Sequence, residues 1–221
     1  MKNITRKLSL FLAILTLTSI FFTNISVSAN SLEDPYAKYI DDTYMETTNN
    51  YIKGLTDRLI KFIPSKNVCI DYLYQEILLH RLLLFTSYTV EQYTKNPELL
   101  DITDDITDYY SGQLKELRDS LPEVINSIKS QNLKNDDADY MKDYKGIVDK
   151  MILDLSSIKN DESFESTYIK QSIAILEAIY SLSNNSLKYS KNTLTKEISE
   201  SIVKNTPTYI SRLQTLQKSI K

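Results

Sequence analysis

The chain has 221 residues, 42% of them apolar and 25% charged, with 26 Lys and Arg against 29 Asp and Glu, a net charge of −3 and a pI near 5.3. This acidic balance supplies no excess of cations to track nucleic-acid phosphates or to draw the whole chain onto an anionic membrane. The single cysteine, Cys69, excludes an internal disulfide, so packing alone must hold the fold; the bland reading of the thiol is a small apolar core residue.

In chain order, the first element is a leader. Lys2, Arg6 and Lys7 precede an apolar run from Leu8 to Phe22, and a polar stretch closes on Val27-Ser28-Ala29. That is the charged, apolar and small-residue order of a secretory signal peptide, cleaved after Ala29. The apolar run falls short of the ~20 residues a spanning helix needs. No cysteine follows it to take a lipid. Removing 29 of 221 residues leaves 192, with 23 basic against 29 acidic side chains, expected to be secreted. Richness in Lys, Asn, Ile and Tyr suggests an AT-rich genome and, with the leader, a Gram-positive bacterium.

Three glycines and five prolines are too few for the closely spaced turns of a sheet, so the fold is expected to be all-α. Asp34-Pro35 caps a first predicted helix over 35–63, on which Tyr36, Ile40, Tyr44, Tyr51, Leu55, Leu59 and Phe62 recur at helical spacing until Pro64. All 16 tyrosines lie beyond the leader. Codon bias explains such an excess as well as function does; on the functional reading, Tyr36, Tyr39, Tyr44 and Tyr51 form an exposed interaction face.

A second helix is predicted over 66–95, stopped by Asn96-Pro97. Ile77, Leu78, Leu79 and Leu82 to Phe85 make it apolar nearly all round, which marks a central, buried helix. Along it Cys69, Tyr72, Glu76, His80, Ser87 and Glu91 share one face. Glu76 and His80, one turn apart, are the candidate metal ligands, or a base with its orienting carboxylate, and Arg81 joins them as a candidate catalytic residue. Against this, His80 is the only histidine in the sequence, and Cys69 lies ~16 Å away along the axis. The simpler reading is a hydrogen-bonded core pair. His80-Arg81-Leu82-Leu83 followed by Lys95 superficially resembles the helix of an all-helical chorismate mutase, but that family's lysine would fall at Gln92, and the family is not assigned.

Asn96-Pro97-Glu98 opens a third helix whose seam runs from Leu99 to Ile128, with a kink or a restart expected at Ser120 before Pro122. Asp101, Asp105 and Asp108 stack on one of its faces. An EF-hand loop would need a central glycine and a terminal glutamate that are missing, so a solvated acidic face is expected. Residues 130–137 are the most linker-like, and a sub-boundary, if there is one, falls there. Asp136, Asp137 and Asp139 then serve as N-terminal charges of the next helix.

Further helices are predicted over 137–158, 162–182 and 192–205, with Pro207 opening a short last one to Ile220. The sum is an elongated up-and-down bundle of about five to seven helices, with coiled-coil-like amphipathic stripes. Gly-rich phosphate loops and a Gly-x-Ser-x-Gly elbow are both missing from the sequence. The expected function is therefore non-enzymatic: a secreted bundle, without cofactor, that contacts a protein or a cell surface. A homo-oligomer is one option for the partner; nucleic acid and stable membrane insertion of the mature chain are not expected. The alternatives are an enzyme or metal-binding protein built on Glu76, His80 and Arg81, and a membrane-perturbing toxin that releases its second helix.

Overall fold

A computed structural model describes residues 44–131, 137–159 and 163–220. The leader, the Asp34-Pro35 cap, Tyr36, Tyr39 and Asp136 lie outside the described residues. Among those described the chain is all-α: α1 Tyr44–Ile60, α2 Val68–Tyr88, a single turn α3 Val90–Tyr93, α4 Pro97–Gln131, α5 Ala138–Ser156, α6 Phe164–Tyr189 and α7 Thr193–Ser219.

Side-chain caps start these helices where the sequence places Asn or Ser. Asn67 accepts from the amides of Cys69 and Ile70, Asn96 from those of Glu98 and Leu99, Ser163 from Ser166, and Asn192 from Thr195. Each such cap satisfies amides that would otherwise lack partners, worth about 1 kcal/mol.

The long helices alternate in direction. Tyr72 and Ser87 on α2 meet Ser183 and Tyr168 on α6, in reverse order, so those two run antiparallel. The same reversal pairs α4 with α7 through Tyr109–Ser201 and Arg212–Asp101, and α5 with α6 through Lys188–Asp143 and Lys150–Glu177. The bundle is therefore up-and-down. At its centre lies α2, as its all-round apolar sequence implied: Leu73, Leu79, Leu82, Leu83 and Leu84 are each at most 1% exposed.

Several boundaries differ from those expected. α4 continues through Pro122 without a restart, and α7 is one helix through Pro207 rather than two. A mid-helix proline costs about 3 kcal/mol. Beyond Pro122, Val124 and Ile128 are buried, and beyond Pro207, Leu213 and Leu216 are buried too. Each such side chain is worth about 1.5–3 kcal/mol, which outweighs the lost bond. In the other direction α2 stops at Tyr88, where Thr86 and Ser87 turn their hydroxyls onto the Leu83 carbonyl.

α6 also overruns its predicted end at Leu182 and reaches Tyr189. Ser183, Asn185 and Ser186 are buried there, so the helix keeps its inward face but changes that face from apolar to polar. The helices flanking 130–137 belong to one compact unit, and Tyr140 of α5 bonds directly to Gln75 of α2.

Candidate functional site

Glu76 and His80 do come together, and both are fully sealed, at 0% exposure. His80 Nδ1 lies 2.9 Å from the Glu76 carbonyl and 3.2 Å from Glu76 Oε2. One N–H cannot serve both well, and the shorter contact takes it, leaving Oε2 without a hydrogen bond. His80 Nε2 likewise has none; it sits where the Tyr110 ring packs edge-on, with centroids 5.1 Å apart. An unmet buried group of this kind costs about 1–3 kcal/mol.

The other carboxylate oxygen is well held. Ser183 Oγ donates to Glu76 Oε1 at 2.8 Å, and with its proton so used it can only accept from the Tyr72 hydroxyl at 3.1 Å. Burial pushes the Glu76 carboxyl above its usual range, opposed in part by His80 and Ser183. Desolvation disfavours the charged form, and the nearby imidazole and the Ser183 hydrogen bond do not fully cancel it.

This pair is one stretch of a longer polar seam. Tyr110 donates to Thr206 at 2.8 Å, Tyr140 to Gln75 Oε1 at 2.5 Å, and Tyr168 to Ser87 at 3.1 Å. Ser199 bonds Ser186 at 3.1 Å, and Cys69, a free thiol, meets Ser190 at 3.2 Å. Tyr72, Tyr110, Tyr140 and Tyr168 are the largest fully buried side chains, and each reaches a polar group on a neighbouring helix. Burial drives the hydroxyls of Tyr72, Tyr110 and Tyr140 well above the ordinary value, so they remain donors.

Tyr44 and Tyr51, two of the four tyrosines expected on an exposed interaction face, thus work inside the bundle, while Tyr36 and Tyr39 lie outside the described residues. Tyr44 is 4% exposed, donates to Gln171 at 2.9 Å and packs against Tyr93 and Phe164. Tyr51 is half-buried, stacked on Phe85 with centroids 3.6 Å apart. Neither presents a free aromatic surface, because one face of α1 must cover α2.

Arg81 does not join the Glu76–His80 pair. It points to α1, where with Arg58 it holds down the Tyr51 hydroxyl against the upward push of burial. Nor do the α4 aspartates form a cation cage: Arg212 spans Asp101 and Asp105 with one guanidinium nitrogen each, at 2.9 and 2.6 Å. Among the described residues no cluster of three or more His, Cys, Asp or Glu side chains could hold a metal ion.

An open cleft lies elsewhere, between α5 and α6, about 550 Å³ in volume and lined by Asp143, Gly146, Lys150, Ala178, Ser181 and Lys188. Sequence reading found Glu76 and His80 but missed their partner Ser183. The signal was there in Ser183 and Ser186, three residues apart on one face of α6, with Ser190 capping its end. No known protein family, curated protein or solved structure matches this chain.

Proposed function

We propose that this chain is an exported, non-enzymatic helical bundle that acts by contact with a protein or a cell surface. The observation that supports this reading is the closure of the Glu76–His80 pair. A general base must come within hydrogen-bond reach of its substrate, and a metal ligand needs companions. His80 offers neither route, since it is 0% exposed, its Nδ1 lies on the Glu76 carbonyl and the Tyr110 ring packs beside it.

The enzyme and metal alternatives require a solvent-reachable cavity at Glu76, His80 and Arg81, and the cleft that does open is lined by none of these. The toxin alternative requires α2 to leave the centre of the bundle, and no described helix is long and apolar enough to cross a membrane.

Expression of the full chain in a Gram-positive host tests the reading. The protein is expected in the medium with Asn30 at its N-terminus, and the labelled product is expected to bind cells saturably. Retention inside the host overturns export. Loss of an activity or of a stoichiometric metal in a folded His80→Asn variant overturns the non-enzymatic assignment.

A further inference from the structure

The turn joining α1 to α2 carries an apolar surface that the fold does not cover. Ile63 is 86% exposed and Ile60 59%, and Pro64 beside them is exposed as well. Arg58, Lys61 and Lys66 stand exposed in the same nine-residue stretch, 58–66, which contains no acid. Of the acids that adjoin it, Asp57 is half-buried, and Asp71 is at 0% exposure with its carboxylate engaged by the Ser65 amide.

This turn is held in place rather than left loose. Leu59 is fully buried below it, and the Phe62 ring packs against Tyr144, whose hydroxyl donates to the Leu59 carbonyl at 2.7 Å. Asp71 Oδ1 accepts the Ser65 amide at 2.8 Å, and Lys66 is in the left-handed region at φ 65°. Left-handed backbone is uncommon for a lysine and persists only where its surroundings fix it. The fastened turn therefore presents Ile60 and Ile63 to solvent in the same stretch as three exposed cations.

We propose that this turn is a membrane-contact tip for an anionic bilayer surface. A convex patch of three apolar side chains is far smaller than the ~800 Å² per partner of a stable protein interface. It is sufficient for a bilayer, where apolar side chains enter the headgroup region while lysine and arginine stems stay at the polar level and pair with anionic lipids. A local cluster of three cations acts within a Debye length, so the acidic balance of the whole chain does not cancel it. The tip deepens the contact reading given above and rests on it; it rests on the surface and adds no spanning segment.

Residues 42–221 form their own compact unit, so the leader can be left off and residues 30–221 tested by co-sedimentation with vesicles. Vesicles of phosphatidylcholine containing about 30% phosphatidylglycerol are expected to carry the protein down at low salt, and pure phosphatidylcholine is not. Binding is expected to weaken as the salt rises and screens the cations. The double variant Ile60→Ser, Ile63→Ser is expected to lose about tenfold or more in partitioning, and Lys61→Gln, Lys66→Gln about tenfold at low salt. Both should keep the wild-type melting temperature, since all four side chains are exposed.

Failure of the wild type to sediment with the anionic vesicles overturns the tip, and so does equal sedimentation of the variants. The general contact reading fails separately. Saturable binding to whole cells that survives both tip variants but is lost after the cells are treated with protease keeps protein contact and overturns the lipid assignment.

Discussion

Glu76 and His80 are ionisable side chains held away from all solvent, whereas Ile60 and Ile63 are apolar side chains held in it. Both arrangements run against the partition of side chains between water and core. They differ in what answers for them. Around Glu76 the answer is internal: Ser183 and Tyr72 supply hydrogen bonds from two helices, and the seam ties α2 to α6. At the tip nothing among the described residues covers the exposed isoleucines, so the reason for them is sought in a contact. A buried polar group with partners points to fold specificity, and an exposed apolar group on a fixed turn points to contact.

Truncation should separate the two regions sharply. Tyr72→Ala removes the largest class of buried side chain and leaves Ser183 without its donor, and a loss of about 3–5 kcal/mol in unfolding free energy is expected by denaturant titration. A loss under about 1 kcal/mol would mean that the seam contributes little to stability. Ser183→Ala isolates the hydrogen bonds from the packing. It orphans Glu76 Oε1 and the Tyr72 hydroxyl together, so a loss of about 1–3 kcal/mol is expected in the same titration.

The contrast also explains which parts of the molecule could be read from sequence. Helical periodicity, the Asn96 cap and the all-round apolar α2 were legible because each is local. Glu76 and His80 were legible as a pair because one turn of one helix puts them together. Their closure was not, because it depends on Tyr110 from α4 and Ser183 from α6, side chains that only the packed bundle brings near. The restart expected at Pro122 and the new helix expected at Pro207 failed for a related reason: local cost argued for breaks, and the buried residues beyond each proline prevailed. The tip escaped notice because Ile60 and Phe62–Ile63 extend the apolar pattern of α1; only the exposure of Ile60 and Ile63, against the burial of Leu59 in the same stretch, sets them apart.

Protonation probes the seam more finely. Burial raises the folded-state value of Glu76, so its favourable contribution is full below the unfolded value and is lost as pH climbs through the folded one. Glu76→Gln keeps an acceptor for Ser183 and removes that loss. The variant is expected to melt above wild type at neutral pH, with the difference shrinking as the pH falls below about 4, the unfolded carboxyl range. A variant that melts below wild type at neutral pH would show that Glu76 and His80 are held as a charged pair instead.

Ile63→Ser should produce the smallest change of all, within about 0.5 kcal/mol, because an 86% exposed side chain has almost no native contact to lose. That near-zero result is informative beside the large loss expected at Tyr72. If Ile63→Ser destabilised the fold by 1 kcal/mol or more, on the order of a lost core contact, the isoleucine would belong to the internal structure, and the contrast between seam and tip would collapse. If stability is unchanged while partitioning onto anionic vesicles falls, exposure at Ile63 serves contact alone. The nearby Phe62 supplies the control: its ring packs on Tyr144, so Phe62→Ser should cost stability where Ile63→Ser does not.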